Sequence, residues 1–202
     1  MTISADLFRE VFRRWPSGVA VVTSCEQNRP HGMVISSFAS LSNDPPTVMF
    51  SASSATRMHT IVPQQGAFAV SILSGDQDAL FERFAGFDRS FDDNRFLGLD
   101  YATARTGMPV FPDAIAWIDC KLVASHPGNG YTIFVGEIVA ASLGEACEDS
   151  PMVYYRRQHS TLPYESNGET DLDAIHAQSS AIVRVPANTA REIEDIDLLS
   201  GG

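Results

Sequence analysis

A mainly β, antiparallel barrel with a few short helices is the fold class that the sequence predicts, on three grounds. Strand-length apolar and β-branched runs recur along the chain, among them Val19 to Ser24, Thr47 to Ser51, Ala67 to Leu73, Ala114 to Ala124 and Tyr131 to Leu143. Short turns rich in Gly, Pro, Asn and Asp join most of them, and helical spacing is confined to short stretches, which favours antiparallel pairing. Finally, the signatures of competing folds are missing. Gly128-Asn129-Gly130 before Tyr131 lacks a third glycine and joins strand to strand, so it is no dinucleotide fingerprint. There is no phosphate loop of the Gly-Lys-Ser type, no nucleophile elbow and no His-Glu-x-x-His.

Taken in order, Leu7, Phe8, Val11, Phe12 and Trp15 recur at helical spacing, a face expected in the core, and Pro16-Ser17-Gly18 closes that helix. Gly18 to Cys25 and His31 to Leu41 then read as a hairpin about the polar turn Glu26 to Pro30, with His31 a solvated histidine at its mouth. The run from Gly32 to Leu41 alternates loosely between apolar and small polar residues, as a strand keeping one face for a ligand would. Asn43-Asp44-Pro45-Pro46 ends it, because proline fixes φ and donates no ladder hydrogen bond. Thr47 to Ser51 is the next strand, and Thr56 to Pro63 a short helix. Ala67 to Leu73 follows, then a helix capped by Ser74 and running through Phe84. Between Gly86 and Gly107 the pattern dissolves into a long loop, a length that is commonly functional. Ala114 to Ala124 and Tyr131 to Leu143 form a hairpin across His126 to Gly130, and Met152 to Tyr155 is the closing strand.

Ser51, Ser53, Ser54, Thr56 and Arg57 crowd the start of the short helix at 56–63. One hydroxyl suffices for a cap, whereas four hydroxyls and a guanidinium within seven residues suit a phosphate. Charge-assisted hydrogen bonds are worth roughly 1.5–3 kcal/mol each, about twice a neutral one, so several converging on one phosphate would dominate affinity.

At 202 residues the chain is long enough for one domain with a sizeable core, and 44% hydrophobic content with a mean hydropathy of -0.05 is that of a soluble protein. No apolar run approaches the ~20 residues of a membrane helix. Asp6 and Glu10 stand where a secretory signal would be basic and then apolar, so the expected location is cytoplasmic. The formal charge of -11 argues against nucleic acid as partner. Eight acidic residues and two arginines between Glu165 and Gly202 account for six of those charges, leaving the body mildly acidic. Cys25, Cys120 and Cys147 are odd in number and widely spaced, which suggests neither a disulfide framework nor a metal site.

The order Gly32-x-x-x-Ser36-Ser37-Phe38-x-Ser40-x-Ser42-x-Asp44-Pro45-Pro46, a strand, then Ser54-x-Thr56 before a helix, resembles the short-chain flavin reductases. That FMN-binding split-barrel family includes reductase components of two-component flavin monooxygenases. Phe12 to Thr23, Gly66 to Val70, Asp76-Gln77, Phe84-Ala85, Gly107-x-Pro109, Ala116-Trp117-x-x-Cys120 and Phe134 to Ile138 extend the resemblance from about residue 8 to about residue 158. It implies an antiparallel FMN-binding split β-barrel over residues 1–161 and an acidic C-terminal extension over residues 162–202. In that extension Ala181 to Val185 reads as an added strand and Ala190 to Leu199 as a helix, and the whole is expected to wrap a partner subunit.

The resemblance also implies NAD(P)H-dependent reduction of FMN, or of FAD, by a homodimer that supplies a separate monooxygenase. Carried over by position, Met33, Val34, Ile35, Ser36 and Ser37 would lie along the isoalloxazine and ribityl, with Phe50 and Ala52 completing the wall. Ser51, Ser53, Ser54, Thr56 and Arg57 would meet the phosphate. The protein then stacks and orients two rings, and no side-chain acid, base or metal is required. The family's Gly-Asp-His motif, whose His helps to hold the nicotinamide, is Asn129-Gly130-Tyr131 here, so an imidazole and a carboxylate give way to a phenol. That departure keeps a second reading open, a carrier or flavin-dependent oxidase of the same barrel. An acidic interaction protein with a vestigial barrel is the third.

Overall fold

The computed structural model describes residues 2–92, 94–163, 174 and 177–187. Seven strands form the main sheet: β2 (Ala20–Glu26), β3 (Arg29–Ile35), β4 (Ala39–Asn43), β5 (Pro46–Ser53), β6 (Ala67–Ile72), β9 (Ala116–Pro127) and β10 (Tyr131–Leu143). Their order is β3-β2-β6-β9-β10-β5-β4, with every neighbouring pair antiparallel. The two outermost strands, β3 and β4, are joined by Ser36, Ser37 and Phe38 alone. In a flat sheet of this order they would stand about 29 Å apart, at roughly 4.8 Å per strand. Three linking residues reach only about 14 Å from Ile35 to Ala39. The sheet therefore curls until its edges approach, which makes a barrel split between β3 and β4.

Turn chemistry sets the hairpins. Gln27 and Asn28 both have positive φ, at 50° and 66°, the left-handed pair that a two-residue hairpin needs between β2 and β3. The concave side of the sheet is filled by Val22, Phe50, Phe68, Val70, Cys120 and Phe134. Helix α2 (Met58–Gln65) adds Met58 and Val62 to the same core. It starts two residues later than the sequence suggested and runs on through Pro63, which forfeits only its own hydrogen bond to the preceding turn. Gly66, left-handed at φ 70°, ends it.

The convex side carries two further clusters. Helix α3 (Asp78–Ala85) packs Phe81 and Phe84 with Val19, Val21, Phe96 and Phe111. Ser74 does not cap this helix, contrary to expectation. It makes an isolated bridge to Pro151 beyond the end of β6, its hydroxyl bonds Asp76, and Gln77 precedes the first turn. The 86–107 stretch contains a single 3-10 turn (Arg89–Phe91) and β7 (Tyr101–Thr103), among its described residues. A small sheet of order β13-β7-β8, with β8 Pro109–Val110 and β13 Val183–Val185, covers the third cluster around Met108 and Trp117.

Asp119 of β9 is fully buried and takes hydrogen bonds from the Thr106 backbone N–H, at 2.6 Å, and from the Thr106 hydroxyl. It ties the link between β7 and β8 to the main sheet. Burial pushes its carboxyl above the usual range, and the Thr106 bonds oppose that shift.

Two further expectations are corrected. Met152–Tyr155 (β11) does not close the barrel, because it pairs with β1 (Ser17–Gly18) and β12 (Gln158–Thr161) in a separate sheet. Helix α1 (Ala5–Phe12), capped by the Ser4 hydroxyl at 3.1 Å from Leu7 N, does not bury its apolar face. Leu7, Phe8, Val11, Phe12 and Trp15 are all at least half exposed. Helical spacing says which residues share a face and not what covers it. The expected added strand exists as β13, held against this chain's own β7, and Ser180 exchanges hydrogen bonds with Ala141 of β10. The helix expected at 190–199 lies outside the described residues.

Candidate functional site

The β5–β10 register brings together two stretches that lie some 75 positions apart in sequence. Ser53 is the cross-strand partner of Tyr131 and Ser51 of Ile133, while Ser54 N donates to the Gly130 carbonyl at 3.1 Å. The hydroxyl-rich run and the 128–131 turn thus form one rim at the end of the sheet. Alternation along β5 sends Phe50 and Ala52 inward, 1% and 2% exposed, and leaves Ser51 and Ser53 on the outer face. Phe50 packs edge-on against Phe68 at 4.9 Å and beside Phe134 at 5.3 Å. Phe50, Ala52 and Ile35 are core side chains, so what they offer an outer-face ligand is backbone. Met33 packs partly on the same core, Val34 faces the α3 cluster, and Ser36 is exposed.

The hydroxyls divide into latches and candidates. Ser37 is a latch: its Oγ accepts from Ser51 N and donates to Ser51 O, both at 3.1 Å, clamping the β3–β4 link onto β5. Thr56 Oγ1 donates to the Ser53 carbonyl at 2.7 Å and shapes the turn into α2. Among the described residues Ser53 Oγ accepts one long bond, from Ala55 N at 3.3 Å, which leaves its proton to donate. Ser54 is exposed, and its hydroxyl has no hydrogen-bond partner among the described residues. Nor does any hydroxyl cap α2, since Arg57 occupies the cap position and makes no side-chain cap bond. The N–H groups of His59 and Thr60 in the first turn of α2 already bond the Thr56 and Arg57 carbonyls, so what fits a phosphorylated ligand here is the two hydroxyls with protons to donate.

Arg57 departs from the expected cluster. Its guanidinium is held by Glu26 at the tip of β2, Nη2 to Oε2 2.6 Å, and the Arg57 guanidinium keeps the Glu26 carboxyl below its ordinary range. His31 stands beside the same carboxylate, Nε2 to Oε2 3.9 Å, and its Nε2 is shielded without a hydrogen-bond partner among the described residues. It is not the solvated histidine that its place in a turn suggested, because its side chain is only 18% exposed. Burial pushes its pKa down to about 4, helped by Arg57 and Arg29 and opposed by Glu26.

A histidine held neutral in the fold and titrating near 6.5 when unfolded makes the unfolded chain bind more protons between those values. Stability is therefore expected to be full above pH 6.5 and to fall as pH drops towards 4, by up to about 2 kcal/mol after allowance for partial solvent contact. Thermal midpoints from pH 7.5 to 4.5 should fall more steeply for the wild type than for His31→Gln. Parallel profiles would contradict this.

Tyr131 is 46% exposed, and its ring lies over Gly128, where a Cβ would come within 2.4 Å of it. Gly128 N donates to the Tyr131 carbonyl at 2.7 Å and Gly130 takes φ 82°, so the turn holds the phenol at the rim. Asn129 and Gly130 are exposed beside it. On α2, His59 reaches Thr132 Oγ1 at 2.9 Å on the inner side of β10. Burial raises the thiols of Cys25 to about 11 and Cys120 to about 12, which disfavours their nucleophilic form. No group of three His, Cys, Asp or Glu able to hold a metal occurs among the described residues, nor does a helix long and apolar enough to cross a membrane.

The Glu26–Arg57–His31 group was not foreseen from local pattern. Glu26 and Arg57 are 31 positions apart, and the one local signal was a charge-rich turn from Glu26 to His31.

A split antiparallel barrel with a hydroxyl-lined rim defines the class of protein. Residues 12–163 match the family model described as flavin reductase like domain, and the chain belongs to that family. It is 38% identical over 135 residues to FMN reductase (NADH) SmoA of Agrobacterium fabrum, covering 67% of this chain and 75% of the relative. It is 31% identical over 177 residues to the reductase subunit HsaB of a flavin-dependent monooxygenase of Rhodococcus jostii, covering 86% and 88%. Among solved structures, the styrene monooxygenase flavin reductase of Pseudomonas putida superimposes with a TM-score of 0.67 at 31% identity, over 79% of this chain and 99% of that one.

Proposed function

We propose that the chain is an NAD(P)H-dependent flavin reductase that passes hydride from a nicotinamide to FMN, or to FAD, and supplies reduced flavin to a partner monooxygenase. One observation carries the reading for a member of this family: the β5–β10 register sets Ser53 and Ser54, whose hydroxyls keep protons to donate, beside Tyr131 on one rim. Flavin would supply the hydride-accepting ring, and the chain supplies binding and orientation. The Ser53 and Ser54 hydroxyls, with Arg57 when it is released, take the phosphate. The backbone of residues 33–37, the exposed Ser36 side chain and Ser51 line the flavin, and Thr56 shapes the loop. Asn129, Gly130 and Tyr131 meet the nicotinamide, where the phenol offers a face for stacking. No side chain need exchange a proton with the reacting carbon.

The body is residues 1–161 and the acidic extension residues 162–202. A homodimer is supported by the apolar face of α1 that the described residues leave exposed, since contiguous exposed apolar surface commonly marks an interface. Three free cysteines suit a cytoplasmic protein.

The test is anaerobic mixing of the protein and excess FMN with NADH, then with NADPH, following flavin bleaching. Multiple-turnover bleaching is the expected result and names the donor. Tight flavin binding without bleaching would favour the second reading, a carrier or oxidase, for which the replacement of the family's His by Tyr131 speaks.

A further inference from the structure

Within the 51–57 run, Arg57 carries the only positive charge, yet that charge is already neutralised by Glu26. The carboxylate has a second possible hydrogen-bond partner within reach: the shielded Nε2 of the neutral His31, 3.9 Å from the same oxygen. Arg29, the cross-strand partner of Glu26, completes the charged groups around it. Glu26 therefore has one partner in hand and another just beyond bonding distance.

We infer that Glu26 is an internal competitor of the flavin phosphate for Arg57. The inference rests on the flavin reading above. Phosphate and carboxylate both bind a guanidinium through two oxygens, so they are alternative partners for one fork. When phosphate takes Arg57, the displaced carboxylate turns to His31 and Arg29. Binding thus always includes breaking an ion pair, which lowers flavin affinity and speeds its release. A reductase that must hand its product to another protein benefits from that weakness, because tight binding beyond the working concentration adds nothing to turnover.

The experiment compares equilibrium binding and release of FMN and of riboflavin, which lacks the phosphate, in the wild type, Glu26→Gln, Arg57→Gln and the double variant. Glu26→Gln is expected to tighten FMN by about three- to fivefold, mostly through slower release, and to leave riboflavin within about twofold. In the Arg57→Gln background the same substitution should change FMN by no more than about twofold.

Unchanged or weakened FMN binding in Glu26→Gln would overturn the inference. So would equal tightening with and without Arg57, which would mark a general charge effect. Wild-type protein that binds FMN no better than riboflavin would also overturn it while leaving the reductase reading standing. Failure to bind either flavin would remove both. Glu26 and Arg57 are partly exposed, and thermal midpoints of the four proteins check that each is folded.

Discussion

Phe50→Ala is expected to cost about 3–5 kcal/mol of stability, the range for deleting a fully buried phenylalanine. Phe50 is 1% exposed at the centre of the concave core, in contact with Phe68 and Phe134, and the cavity it would leave is walled by strands that the barrel cannot easily draw together. Phe50→Leu keeps most of the volume and is expected to cost less than about 1.5 kcal/mol. Denaturant unfolding of both variants gives these values, and flavin binding separates the two roles this position has been assigned. A core residue replaced by leucine leaves FMN affinity within about twofold. An aromatic wall of the flavin site would lose affinity with its ring, and that result would contradict the inward orientation.

Loss of the Ser53 and Ser54 hydroxyls is expected to have the second large effect. Two charge-assisted hydrogen bonds of roughly 1.5–3 kcal/mol each, partly replaced by water, translate to about a 30- to 100-fold weaker Kd for FMN in the doubly substituted Ser53→Ala, Ser54→Ala protein. Riboflavin should bind as before. Neither hydroxyl holds the fold: Ser53 Oγ accepts one long bond, and Ser54 is exposed. Equal weakening of riboflavin would point to a disturbed turn, and unchanged FMN binding would take the phosphate away from this rim. Ser37→Ala makes a useful contrast, since its hydroxyl is consumed by Ser51 and its loss should loosen the β3–β4 link first.

Much of the fold was legible in the chain. Tyr131–Leu143 and Met152–Tyr155 begin and end as strands where alternation and turn residues set them, and the turn at Asp44-Pro45 stands where proline required it. Local pattern failed where a residue's meaning depends on what it meets. The α1 stripe of Leu7, Phe8, Val11, Phe12 and Trp15 was correctly seen as one face, yet the described residues do not cover it. Met152–Tyr155 was a strand as expected, but its partners are β1 and β12 rather than the barrel edge.

The sequence by itself determined the antiparallel β class, the order of elements and the hydroxyl-rich run at 51–57, because period, turn residues and composition are encoded locally. Only the tertiary structure decided that Phe50 and Ala52 point inward while Ser51 and Ser53 point out, since a shift of one residue in register exchanges the faces of a strand. It alone joined Ser53 to Tyr131 and gave Arg57 to Glu26. Those partners are far apart in sequence: β5 and β10 meet as neighbours in the sheet, and Arg57 reaches Glu26 because α2 packs on β2, and nothing in the spacing along the chain records either meeting.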